Sequence, residues 1–436
     1  MTDSRNFIIA IVLSIVVLFG WQYFFATPQI ERAKQEQQRT EQLQKQQSGQ
    51  DQPSATGAAP GTAAPGSPAV DAGASGAASR DAALAQSPRV AIETPRLSGS
   101  INLHGARLDD LRLNDFHETV SNASPTIVLL SPAGTPIMPG DPKTGVESQG
   151  PYFAEFGLLG EAGGPPAPGP ETIWTAPAGA KLTTATPVTL TFDDGAGLTF
   201  RRTIAVDDKY MFTVTDAIEN KTGSAVKLTP YGRVARLGEV HTAGYYILHE
   251  GLIGVFGDQG LEQYTYKNLI KTPEFKANPA QSGWLGITGK YWAAALVPEK
   301  GRTFTGRYTL SQQQNGAGPT TPLYQADFQS EALSVPAGGT AEARNMMFAG
   351  AKQVAVVNGY RNDLGIERFD LLIDWGWFYF ITKPMFFVID WFYHLLGNFG
   401  LAILAVTVCV KLVFFPLANK SYKSMSGMKK VQPQMQ

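Results

Sequence analysis

The chain has 436 residues, enough for one large or two ordinary domains, and its basic and acidic side chains nearly cancel at a net charge of −1. That balance leaves no global field for nucleic acid, and 17% charged beside 43% hydrophobic residues points to membrane content rather than a wholly soluble protein. The single cysteine, Cys409, excludes an intramolecular disulfide, a CxxC zinc site and haem attachment.

Residues 7–25 form an apolar run broken only by Ser14, Gly20 and Gln22, with Trp21, Tyr23 and Phe24 at its far end as in an aromatic belt. No small residue stands three before a cleavage after Ala26, so the run is expected to be an uncleaved transmembrane signal anchor behind a short N-terminus, residues 1–6. Residues 26–88 begin Gln-rich and charged and then collapse to Ala, Gly, Pro and Ser, a composition too poor in large apolar groups to fold. They are expected to be a flexible low-complexity linker.

From 89 to 355 the texture becomes that of many short strands separated by turn residues. Candidates lie at 98–104, 126–130, 188–192, 198–204, 210–215, 226–228, 291–296, 303–310 and 323–328, with a Gly-bearing turn at 193–197 closing a hairpin. This predicts an all-β sandwich. Its histidines, His104, His117, His241 and His249, read as surface or satisfied side chains. His117-Glu118 and His249-Glu250 are adjacent pairs that point to opposite faces of a strand, and no HExxH, GxSxG or P-loop motif occurs. No catalytic set, metal site or cofactor site is therefore expected, with carboxylates paired at a distance the one arrangement that sequence leaves open.

Residues 370–396 are intensely aromatic, with Trp375, Trp377 and Trp391, and carry Lys383, Pro384 and Asp390. At about 100° per residue Lys383, Asp390 and His394 fall within about 40° of one another, a polar stripe on an apolar cylinder. The competing reading is a buried helix of the β-domain. The position directly before a span favours an amphipathic helix lying in the membrane interface.

Residues 398–417 are the second span, and from Gly400 onward they are apolar apart from Thr407 and Lys411. An ammonium within a span costs about 2.5–3.5 kcal/mol on insertion scales, so Lys411 is a functional candidate unless its stem snorkels to the interface. Beyond it Lys420, Lys423, Lys429 and Lys430 appear without an acid. By the positive-inside rule that tail is cytoplasmic, and two spans then place the N-terminus inside and the β-domain outside. Arg32, Lys34, Arg39 and Lys45 count against this, but long translocated segments largely escape the rule.

The aromatic helix, Gly-Asn-Phe-Gly at 397–400, Val-Lys-Leu-Val-Phe-Phe-Pro-Leu at 410–417 and Ser-Met-Ser-Gly-Met-Lys-Lys-Val-Gln-Pro-Gln-Met-Gln at 424–436 together strongly resemble the YidC membrane-protein insertase family. The match is detailed over about 370–436, extends by layout to the rest, and includes Gly283-Trp284 and Tyr291-Trp-Ala-Ala-Ala295 in the β-domain. The resemblance implies a protein of the bacterial inner membrane: a signal anchor, a periplasmic β-sandwich, an interfacial helix and a transmembrane helix opening an α-helical insertase core. It implies a hydrophilic intramembrane groove with a basic residue on the first core span. Many members carry Arg there, where this chain has Lys411, which keeps the charge and loses the planar fork. Thr407, one turn earlier, shares that face, either lining the groove or bonded back to its own helix.

The resemblance further implies insertion and folding of nascent membrane proteins in the lipid bilayer, alone or with the Sec translocon, without a covalent step or a nucleotide. Lys420, Lys423, Lys429 and Lys430 fall in the first arm of a cytoplasmic helical hairpin, a contact for ribosome, targeting factor or translocon, or else a basic tail drawn to anionic lipid. The sequence stops inside that arm, so four further core spans are expected beyond Gln436 if it is a fragment rather than a truncated product. Two other readings remain at this point: a bitopic anchor presenting a saccharide-binding or saccharide-converting sandwich, and an envelope scaffold.

Overall fold

The computed structural model describes residues 77–138, 149–161, 163–238, 248–314, 320–376 and 378–431, the last eight by backbone alone. The expected signal anchor at 7–25, most of the linker, Trp377 and residues 432–436 lie outside the described residues. The chain divides into two compact units at Tyr379/Phe380.

In the first unit two almost wholly antiparallel sheets form the expected large sandwich. The longer has eleven described strands, the main path running Glu274–Lys276, Phe304–Gln314, Thr320–Ser330, Val226–Leu237, Tyr152–Gly160, Arg107–His117, Leu97–Asn102, Arg89–Glu93 and Lys181–Leu182. The other has eight: Gly260–Thr265, Gly251–Phe256, Gly283–Thr288, Trp292–Val297, Thr340–Ala351, Met211–Asn220, Leu198–Val206 and Val188–Asp193. Strict alternation explains the last three. Phe200, Ile204, Phe212, Val214 and Ile218 point into the main core while their neighbours reach outward. The hairpin at 193–197 forms as predicted, with Asp194 accepting from Ala196 N and Leu198 N and positive φ at Gly195 and Gly197.

The long sheet is also buried on the face turned away from that core. There one row of side chains alternates in sign across the strands: Arg107, Glu155, Arg233, Asp327, Arg307. The register pairs Arg233 with both Glu155 and Asp327, and Asp327 with Arg307. Glu155 meets Arg107 at 2.9 Å and Arg233 at 2.7 Å; Arg307 meets Asp327 at 2.8 Å. Tyr231 donates to Glu155 Oε1 at 3.0 Å. Its ring lies over Gly157, where a Cβ would stand 2.4 Å from a ring carbon, so only glycine admits it.

Helices are few in this unit. The helix α1 (Arg80–Leu84), capped by Ser79, corrects the expected linker limit at 88: Arg80 reaches Asp110, Ser131 Oγ and Leu130 O on the long sheet, so the folded domain begins before residue 89. The helix α2 (Tyr266–Lys271) closes one end of the sandwich, burying Tyr266 and Leu269. The helix α3 (Val354–Asp363) and a 3-10 turn (Phe369–Leu372) follow the last long strand and are strapped against the eight-stranded sheet. Phe369 packs edge-on against Trp284, Phe348 and Tyr360, at centroid distances of 5.4, 5.6 and 6.3 Å. The Tyr360 hydroxyl donates to Asp207 at 2.7 Å and accepts from Tyr210 N at 2.9 Å.

The described part of the second unit is helical: α4 (Tyr379–Leu396) and α5 (Phe399–Val431). One expected boundary changes. The aromatic helix starts at Tyr379, not near 370, because Asp374 turns its carboxylate onto Gly376 N and Gly376 takes positive φ, which ends any helical phase. The helix that follows runs on past the Pro416-Leu417 step, where the span is expected to end. Proline removes one rung to the Leu412 carbonyl, and α5 continues through it.

Candidate functional site

The junction of α4 and α5 follows from two residues. Gly397 adopts φ +65 and returns its N–H to Tyr393 O at 2.8 Å, a left-handed C-terminal cap. Asn398 then caps α5, its carboxamide oxygen accepting from Leu401 N at 3.1 Å. Turn and cap follow one another with no residue between, so the two helices are joined by the shortest of links.

The stretch Phe399–Lys423 of α5 is long and apolar enough to cross a bilayer. Its buried side chains among the described residues are Ala402 and Val406, one turn apart, while Leu404, Leu412, Val413 and Phe415 stand exposed. A helix this apolar and this exposed fits lipid or neighbouring helices rather than water. Lys411 is exposed on it. At 100° per residue Lys411 stands about 140° from Val406 and about 180° from Ala402, opposite the buried stripe. Thr407 shares its side of the helix. The Thr407 hydroxyl donates to Ile403 O at 2.8 Å, the back-bonded geometry, which leaves its lone pairs for another donor.

On α4 the predicted polar stripe is one face of a continuous helix that carries Pro384 in its first half. His394 Nδ1 lies 2.8 Å from Asp390 O and 3.6 Å from Asp390 Oδ1, and Lys383 stands half-buried on the same side. Trp391, Phe380 and Tyr393 are exposed around the stripe. Trp375 is not part of that helix. Its indole N–H donates to Asp370 O at 3.3 Å, and it belongs to the sandwich unit. Lys420 and Lys423 are exposed on the continued α5, and Lys429 and Lys430 lie on its helical backbone.

Sequence reasoning missed the residues that fasten the strap. Asp374 accepts from His249 N at 2.7 Å, Tyr360 reaches Asp207, and Trp284 Nε1 donates to Glu367 O at 3.1 Å. Each partner lies far away in the chain, so no local pattern announces it. Of the histidines of this unit, His241 lies outside the described residues, and His104 and His249 have structural partners. His104 meets Glu171 at 3.1 Å, and His249, whose pKa burial pushes down, places Nε2 3.0 Å from Leu252 O.

Comparison with known proteins covers both units. A model of the YidC periplasmic domain matches residues 89–388, and a model of the 60Kd inner membrane protein family matches residues 391–436. The protein from Methylobacterium radiotolerans named "Membrane protein insertase YidC" is 49% identical over 99% of this chain and 69% of its own length. Relatives of the same name from Methylobacterium sp. strain 4-46 and Sinorhizobium medicae are 51% and 49% identical, covering 99% and 100% of this chain and 69% of each relative. Among solved structures, a galactose mutarotase-like protein from Lactobacillus casei aligns with 60% of this chain and 100% of its own at 11% identity and a TM-score of 0.34, too low to bear on function.

Proposed function

The chain belongs to the YidC family of membrane-protein insertases, and from that premise we propose which of its residues serve insertion and how. The function is insertion of proteins into the bacterial inner membrane, and the nascent membrane proteins and the bilayer are its partners. Its α5 is the first core span, with Lys411 on the face that receives the incoming segment. One observation carries this reading: the sole charge in the apolar body of α5 stands opposite the helix's buried stripe. A cation there attracts acidic groups of a passing segment and keeps water beside them, which shortens the apolar distance they cross. The substrate's apolar stretch then partitions into lipid and leaves. Thr407, with lone pairs still available, extends that polar face by one turn.

The remaining roles are proposed on weaker support. The polar stripe of Lys383, Asp390 and His394, with Trp391 beside it, suits a helix lying at the headgroup level. Lys420, Lys423, Lys429 and Lys430, with no acid among them, support a cytoplasmic end for α5, which together with the expected signal anchor at 7–25 gives an N-terminus inside and the sandwich outside. The same lysines are the proposed contact for ribosome, targeting factor or Sec translocon. Nothing favours the saccharide-converting reading.

The test replaces Lys411 in the full-length protein and follows insertion of two substrates in cells depleted of their own insertase, one with acidic residues in its translocated segment and one without. Lys411→Arg is expected to insert both. Lys411→Glu is expected to fail selectively on the acidic substrate, and full insertion of it would remove the charge-based role.

A further inference from the structure

The end of the sandwich at which the chain leaves for α4 carries a rim of lysines and exposed apolar side chains that the insertase reading does not use. Its position is fixed by register. Gly251 pairs with Thr265 on one side and Thr288 on the other, and His249, two residues earlier, holds Asp374. The exit at Asp374, the start of α2 after Thr265 and the hairpin tip after Thr288 are therefore at the same end. On α2, Lys267, Ile270 and Lys271 fall within about 100° of one another. Lys267 and Lys271 stand about 100–160° from the buried Tyr266 and Leu269, and Ile270, about 40° from Tyr266, is 64% exposed. At the hairpin tip Tyr291 is 55% exposed and carries Lys290 Nζ 4.8 Å above its ring. Beside it Lys352 Nζ is held at 2.9 Å by Thr288 Oγ1 and at 2.7 Å by Gly289 O. The acids at this end include Glu250 and Asp374, the latter engaged by His249 N and Gly376 N, and, two strands along the sheet at the turn before Met211, Asp207, which Tyr360 engages, and the exposed Asp208.

We propose that this rim, Lys267, Ile270 and Lys271 on α2 with Lys290 and Tyr291 at the hairpin tip, is a docking surface for anionic phospholipid headgroups. Two arguments commit it to lipid. Its charge complements an anionic leaflet, while Tyr291 and Ile270 have the amphipathic and apolar character that enters the interface. The chain also passes from Asp374 into the apolar α4 within a few residues, each spanning at most about 3.5 Å, so this end is tethered to the element that lies in the bilayer. The opposite end of the same strands, at Asp258, carries no such continuity.

The experiment uses the full chain in nanodiscs with Cys409→Ala and one new thiol, Tyr291→Cys or Ile270→Cys at the rim and Asp258→Cys as the far-end control, each labelled with an environment-sensitive dye. Lipids carrying a headgroup-level quencher report proximity. Phosphatidylglycerol-rich discs are expected to quench the two rim labels severalfold more than the Asp258 label. That difference should shrink in phosphatidylcholine discs, in high salt and in the Lys267→Glu/Lys271→Glu variant, whose exposed side chains leave the core intact. Equal quenching at rim and control, or rim quenching indifferent to lipid charge and to the double substitution, overturns the proposal. Because insertion is not the readout, such a result leaves the role of Lys411 untouched.

Discussion

Lys411 on an apolar helix and Glu155 inside a sheet both hold charge where water is scarce, and among the described residues only the second is surrounded by its counter-charges. Burial alone pushes the Glu155 carboxyl up; the guanidinium groups of Arg233 and Arg107 outweigh it and hold the pKa below the ordinary value of 4.5. The folded pKa being depressed, the unfolded chain binds the proton more readily, so the stabilisation is complete above about pH 4.5 and is lost as pH falls through the folded value. The urea midpoint of the sandwich, followed by tryptophan fluorescence, is therefore expected to fall steeply below that pH. Glu155→Gln should cost about 3–5 kcal/mol at pH 7, because two buried guanidinium groups lose their shared anion, and should show a shallower acid limb. A variant as stable as the parent at pH 7 would mean that other neighbours of Arg107 and Arg233, not Glu155, satisfy them. Among the described residues Lys411 has no such cage, which is why its worth is sought in substrates rather than in stability.

Elements differ in how plainly the sequence announces them. Alternating strands such as Leu198–Val206 and Met211–Asn220 were legible because one face is core and the other is not. Gly251–Phe256 and Gly283–Thr288 are buried at every position, so period-two patterning vanishes and with it the signal. The lysine in the span and the polar stripe of α4 were readable for the converse reason: polar groups stand out against an apolar background. The strap formed by α3 and the turn after it was invisible, since its bonds reach residues more than a hundred positions away. It is also the element most open to test. Tyr360→Phe strips the acceptor from the buried Tyr210 N–H and the donor from Asp207, a loss of about 1–3 kcal/mol. Faster hydrogen exchange is expected through residues 354–375 while the strands Leu198–Val206 and Trp292–Val297 stay protected. At the other junction, Gly397→Ala forces an L side chain into φ +65 and should destabilise the α4–α5 turn by about 1–2 kcal/mol, seen as earlier proteolysis at 396–398.

Across the whole molecule the two units keep separate accounts of stability and function. The sandwich has its own core and its own buried charges, whereas the residues proposed to handle substrate are on helices whose apolar faces look outward. Family membership was legible from the stretch of about 370–436, because an aromatic helix followed by a lysine, a proline and a basic tail at fixed spacing is hard to meet by chance. The place of the strap was not, since it is defined only by the sheet it covers. That difference predicts opposite signatures for two lesions in the full-length protein. Deleting 89–351 removes the surface on which Val357, Phe369 and Leu372 are buried, so the amount of protein should fall while insertion per molecule stays near that of the parent. Lys411→Glu leaves every packed surface in place, so the amount should stay normal while insertion of acidic substrates falls. Quantifying both variants by immunoblot against pulse-chase insertion separates the two. A deletion that lost insertion per molecule would locate part of the insertion work in the sandwich itself, and the division between the units would then have to be drawn elsewhere.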